Sequence, residues 1–273
     1  MDYFLFPPAF CVREYRALFL PILTSVAATG TRPVAKQGEF RATALCSGAD
    51  PAGREGDGMT GGLTIRAGIG LILLAGLLVA ERRRSGTGLW IFKPLTAAVY
   101  VWIALTEGAT ESGYGVAVLI ALLLSWCGDV LLIPQDRPAI FRAGVLAFLA
   151  AHIAFVVAFL VRGVDWQAFL VAALVIAVPG AVVWRWIRGR IPVELAAAVR
   201  IYIVVITLMF AAAIGSHAES PALTIAVGAG FFWVSDLFVA RDRFIQAGFI
   251  NRLLGLPLYF VAQLLLALSV AIS

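Results

Sequence analysis

From residue 59 onward, apolar residues run in long unbroken blocks, and polar residues collect in the short gaps between them. Eight blocks stand out, at about 65–80, 91–106, 115–133, 140–161, 166–187, 196–215, 221–240 and 253–272. A spanning helix takes roughly 20 apolar residues, and each block has that length or nearly so. In lipid every backbone N–H and C=O must be satisfied within the structure, so these segments are predicted to be helices. The short gaps make successive helices antiparallel neighbours. The predicted fold class is all-α, a polytopic integral membrane protein with eight transmembrane helices.

Residues 1–58 follow a different pattern. They mix Pro, Gly and Thr with six basic and six acidic residues. Their one apolar run, "ALFLPILTSVAAT", is short and is interrupted by Pro21. We read residues 1–58 as a disordered extension, such as a gene start placed too far upstream would add. The eight-helix membrane domain is expected over 59–273, opening on "MTGGLTIRAGIGLILLAGLLVAERRR".

Composition supports the membrane reading: 62% of residues are hydrophobic and only 14% charged, against about a quarter charged in soluble domains. The charge that remains gives the chain its orientation. Arg82, Arg83 and Arg84, then Arg137 and Arg142, Arg185, Arg188 and Arg190, and finally Arg241, Arg243 and Arg252 follow the odd-numbered helices, eleven loop arginines in all. On the other side Arg162 is the one loop arginine. This bias places the odd-numbered loops in the cytoplasm. A net charge of +5 distributed in this way marks topology and lipid head groups, not a nucleic-acid groove. Cys11, Cys46 and Cys127 lack the spacing of a disulfide framework or a metal site.

Two acids lie where acids are expensive. Asp129, in "SWCGDVLLI", and Asp236, in "FFWVSDLFV", share a local context: a tryptophan, one residue, a small residue, then the acid. Both helices run from outside to inside. The acids fall fourteen and fifteen residues beyond the helix starts, about four from the cytoplasmic ends. If the third and seventh helices are neighbours, the two carboxyls face one cavity at the same depth. Low dielectric and mutual repulsion then favour one neutral acid beside one carboxylate, the arrangement for combined acid and base catalysis. The bland alternative is that each aspartate bonds a neighbouring helix, with Gly128 and Ser235 there for close packing.

Further polar residues lie in the same half. Lys93 and Pro94, in "IFKPLT", are expected to begin the second helix, Pro94 in its first turn. Lys93 either holds a phosphate or snorkels to the interface. Arg200 and Tyr202 open the sixth helix, where Arg200 suits a phosphate as a bidentate donor. His152, near mid-depth of the fourth helix, is either a packing residue or a proton relay. Tyr259 and Gln263 stand one turn apart on one face of the eighth helix, and either line the cavity or bond another helix. Two histidines at different depths, His152 and His217, do not make a His-rich zinc site. This argues against a metal-dependent hydrolase of the ceramidase type, and no metal or cofactor is expected.

The motifs "FKPLT", "SWCGDVLL", "AFLAAH", "WVSDLFVA" and "LPLYFVAQLL" stand in the order and spacing of the YhhN-like membrane proteins, which include the lysoplasmalogenases. The chain resembles that family over roughly residues 65–272. The resemblance implies an eight-helix ether hydrolase; we expect it in the bacterial inner membrane, and the arginine bias puts its active site toward the cytoplasmic leaflet. It implies cleavage of the vinyl ether of a lysophospholipid, a lysoplasmalogen, to a fatty aldehyde and glycerophosphocholine or glycerophosphoethanolamine. Asp129 and Asp236 match the family's proposed catalytic aspartates. Lys93, His152, Tyr259 and Gln263 match other polar positions. Two other classes fit the residues alone: a proton-coupled transporter, for which Pro179 inside the fifth helix hints at a broken span, and a non-catalytic lipid-binding membrane protein.

Overall fold

A computed structural model describes residues 52–134 and 136–272, with side chains from residue 62 onward. The extension expected over 1–58 lies outside these residues up to position 51, and the first helix begins at Ala52. The helices are α1 (Ala52–Arg83), α2 (Gly86–Thr106), α3 (Gly113–Leu131), α4 (Pro138–Arg162), α5 (Trp166–Ile187), α6 (Val193–Glu219), α7 (Leu223–Phe244) and α8 (Phe249–Leu268). Short 3₁₀ turns follow α5 and α8. Eight helices among the described residues are long and apolar enough to cross a membrane, as expected from the apolar blocks.

Local chemistry sets the helix starts. Ser85, Ser112 and Asp165 cap α2, α3 and α5, their side chains accepting from the backbone N–H of Gly88, Gly115 and Ala168. Pro138 opens α4, where its missing N–H is harmless. The Ser85 cap corrects one expectation. Because α2 starts at Gly86, Pro94 lies inside the helix and not in its first turn. Lys93 is thereby carried about two turns into α2. The span α5 continues as one helix through Pro179, so the break hinted at by that proline is absent.

Among the spans, α8 is the most enclosed: Tyr259, Phe260, Val261, Ala262 and Gln263 are all buried. It packs on α7, α2 and α3, while α4 packs on α3 and α6, and α6 on α5 and α7. The third and seventh helices are therefore not packed side by side, contrary to the simplest arrangement of their acids. Helix α8 packs on both, and Phe148, His152 and Phe155 of α4 reach Phe232 of α7. The approach of α4 to α3 depends on Gly128, where a Cβ would lie 2.7 Å from ring carbons of Phe148. The outer faces stay apolar, with Leu174, Val175 and Val178 of α5 exposed to the lipid side.

Candidate active site

Three donors converge on Asp129. The residue sits two positions before the end of α3 and is 2% exposed. Lys93 of α2 places its Nζ 3.4 Å from Oδ1. Tyr259 of α8 donates to Oδ2 at 2.7 Å, and Tyr100 of α2 donates to the same oxygen at 3.3 Å. The two tyrosine hydroxyls are 3.4 Å apart. A buried charge is tolerable when it is paired and hydrogen-bonded, and this shell suits a carboxylate that accepts at both oxygens. The neighbouring Trp126 donates its indole N–H to the Pro94 carbonyl at 3.0 Å, tying α3 to α2.

Asp236 has a different environment. It lies eight residues before the end of α7, not four, because that helix continues to Phe244. Its side chain keeps 18% exposure. Tyr202 of α6 donates to its Oδ2 at 2.8 Å. His152 of α4 is fully buried, with Nε2 3.8 Å from that same oxygen. The imidazole Nδ1 stands 2.6 Å from the Phe148 carbonyl. A carbonyl only accepts, so Nδ1 carries a proton, and in the neutral ring Nε2 presents a lone pair. At 3.8 Å that nitrogen is beyond hydrogen-bond distance of Asp236 and finds no partner among the described residues.

An aromatic layer joins the two clusters. The ring of Phe232 is 4.5 Å from His152 and 5.4 Å from Tyr259, and Phe148 is 5.8 Å from Tyr259. The aspartates thus occupy separate nests on either side of this layer, both toward the arginine-rich end of the bundle.

The structure sorts the remaining polar residues. Lys93 neither snorkels nor stands free, because the early start of α2 brings it to Asp129. Tyr259 bonds across helices, whereas Gln263 one turn away is fully buried with no partner for either polar atom among the described residues. Arg200 joins neither aspartate: it is exposed, its guanidinium 4.8 Å from the centre of the Trp184 ring. The sequence reading missed Tyr100. Its signal was the spacing of Lys93, Ala97 and Tyr100 at i, i+4 and i+7, which puts all three on one helix face.

A profile of the YhhN family matches residues 88–270, which hold both aspartates and all of the residues just described. The chain belongs to the YhhN family. Among curated proteins it is 28% identical to the lysoplasmalogenase TMEM86A of Bos taurus over 158 residues, 56% of this chain and 64% of that protein. It is 34% identical to the lysoplasmalogenase of Mycobacterium tuberculosis over 149 residues, 51% of this chain and 53% of that protein. The chain thus spans between half and two thirds of the length of these relatives. No solved structure matches it. Membership fits the eight-helix architecture.

Proposed function

We propose that this protein is a membrane-embedded lysoplasmalogenase-like hydrolase in which Asp129 and Asp236 act as an unlike pair. The reading is supported by the contrast between their surroundings. Asp129 meets three donors and acts as the carboxylate; Asp236 accepts from Tyr202, has the imidazole of His152 3.8 Å away, and acts as the protonated member.

A vinyl ether hydrolyses by protonation of its outer carbon, which leaves an oxocarbenium ion for water to attack. Asp236 gives the proton to carbon, with His152 as its partner in holding and replacing that proton. The Asp129 carboxylate stabilises the cation and takes a proton from the attacking water. The hemiacetal then collapses. Its carbon–oxygen bond to glycerol breaks as Asp129 returns a proton to the leaving oxygen, and Asp236 recovers the hemiacetal hydroxyl proton. Both acids end as they began, and no cofactor enters the balance. A single-chain lipid enters from the arginine-rich side, in the cytoplasmic leaflet, with its phosphate toward exposed arginines such as Arg200. Lys93 is already engaged with Asp129.

The test is aldehyde release from a lysoplasmalogen by purified protein, beside Asp129→Asn and Asp236→Asn. Each substitution is expected to lower turnover by roughly a hundredfold or more. Full activity in either variant would remove the paired-acid mechanism. No release from wild type, together with proton-dependent uptake into liposomes, would replace the hydrolase with a transporter.

A further inference from the structure

Gln263 is a polar residue of the family motifs that the mechanism above leaves unused, and its environment is unusual. The side chain is 0% exposed, yet among the described residues neither its Nε2 nor its Oε1 has a hydrogen-bond partner. Ser125 of α3 is in the same condition: 0% exposed, with an unpartnered Oγ. A buried amide or hydroxyl without a partner costs stability that an apolar side chain of similar shape does not. Two such groups on packed helices point to something they are shaped to meet.

Helix register brings them together. The Tyr259–Asp129 hydrogen bond pins antiparallel α8 against α3. Gln263 lies four residues beyond Tyr259, and Ser125 four residues before Asp129, so each is one turn farther from the arginine-rich end. A spacing of four keeps each on the face of its pinned neighbour, at a level about 6 Å deeper. The register therefore sets two neutral polar groups at one level, a turn deeper than the Tyr259–Asp129 contact.

Resting on the hydrolase reading, we infer that Gln263 and Ser125 form the subsite for the oxygen that hydrolysis adds to the chain, first as water and then as the aldehyde carbonyl. A lipid whose head group stays at the arginine-rich end runs its chain past the carboxyls toward this level. Beyond the scissile bond that chain is hydrocarbon, with nothing to offer an amide or a hydroxyl. The exception arises in the reaction, when the water oxygen bonds to the inner vinyl carbon. The Gln263 carbonyl accepts from that water, and the Gln263 N–H and Ser125 O–H donate to the carbonyl oxygen that remains after glycerol leaves. A neutral pair suits a neutral product and lets it depart.

The experiment compares wild type with Gln263→Met, which keeps the volume and removes the hydrogen bonds. Turnover of lysoplasmalogen, thermal stability in detergent, and stabilisation by 2-heptadecanone, an unreactive stand-in for a fatty aldehyde, are measured with heptadecane as control. The expected result is a Tm no lower than wild type, a kcat lower by about tenfold to a hundredfold with KM nearly unchanged, and loss of the ketone's stabilisation beyond that of the alkane. A lower Tm with unchanged kcat would make Gln263 a packing residue and overturn the subsite. Aldehyde release with equal ketone stabilisation in both proteins would overturn the subsite and leave the hydrolase standing. A wild type that releases no aldehyde, yet responds to the ketone only when Gln263 is present, would overturn the hydrolase and keep the subsite.

Discussion

Tyr259 donates to Asp129 at 2.7 Å across a separation of 130 residues, and this contact joins the third helix to the most buried one. Tyr100 supplies a second, longer hydrogen bond to the same oxygen. Tyr259→Phe therefore leaves Asp129 with Lys93 and Tyr100 and should fold. Its cost is one charge-assisted hydrogen bond, about 1.5–3 kcal/mol if it acts on stability alone. Loss of aldehyde release beyond the loss of folded protein, measured on the detergent-purified variant, would place the hydroxyl in the reaction. Tyr100→Phe is expected to do less in both assays, in line with its longer contact.

The Lys93–Asp129 pair permits a sharper separation of fold from chemistry. Lys93→Met leaves a carboxylate that is 2% exposed without its cation. Breaking a buried pair from one side costs roughly 3–5 kcal/mol, and Lys93 keeps a little exposure, so we expect the lower end and a clear fall in Tm. Adding Asp129→Asn to Lys93→Met removes the orphaned charge and should recover most of that Tm. It should recover none of the aldehyde release. Recovery of both would show that the aspartate serves the fold only.

His152 is held by its Nδ1 contact to the Phe148 carbonyl and by its packing on Phe232. His152→Phe keeps an aromatic ring against Phe232 but removes the lone pair opposite Asp236. If the imidazole and Asp236 share the catalytic proton, turnover falls by about a hundredfold while the protein stays folded. Activity equal to wild type in a folded His152→Phe would reduce His152 to a packing residue. The same assay on Tyr202→Phe removes the 2.8 Å donor to Asp236 and should give a smaller loss.

The spans were legible because the membrane imposes one rule on every apolar segment, and both aspartates were legible because ionised groups in lipid demand explanation. Their partners were legible only in part. Lys93 looked interfacial until the Ser85 cap fixed where α2 begins, a difference of two turns that turns a snorkelling lysine into an ion-pair partner. Tyr100 was passed over because a tyrosine in an apolar run is ordinary, and only its spacing from Lys93 marks it. The relation of α3 to α7 was not legible at all. Which helices lie between two others depends on packing around α8, and hydropathy along one chain carries no record of that. Gln263 was visible as a polar residue, but its lack of partners exists only in three dimensions.

The contact of α4 with α3 yields a prediction that tests the geometry of the site from outside its chemistry. Gly128 precedes Asp129, and a Cβ there would stand 2.7 Å from two ring carbons of Phe148. That ring lies 5.8 Å from the Tyr259 ring, and the Phe148 carbonyl accepts from His152. Gly128→Ala must therefore push Phe148 aside or part the two helices, a cost of about 1–3 kcal/mol for overpacking. Either movement disturbs both nests, because Phe148 touches a residue of each. Gly128→Ala should lower Tm and aldehyde release together. Gly86→Ala is the control: a Cβ there meets nothing within 4 Å, so it should change neither. If Gly128→Ala lost stability but kept full turnover, the α3–α4 contact would serve the fold without setting the distance between the acids.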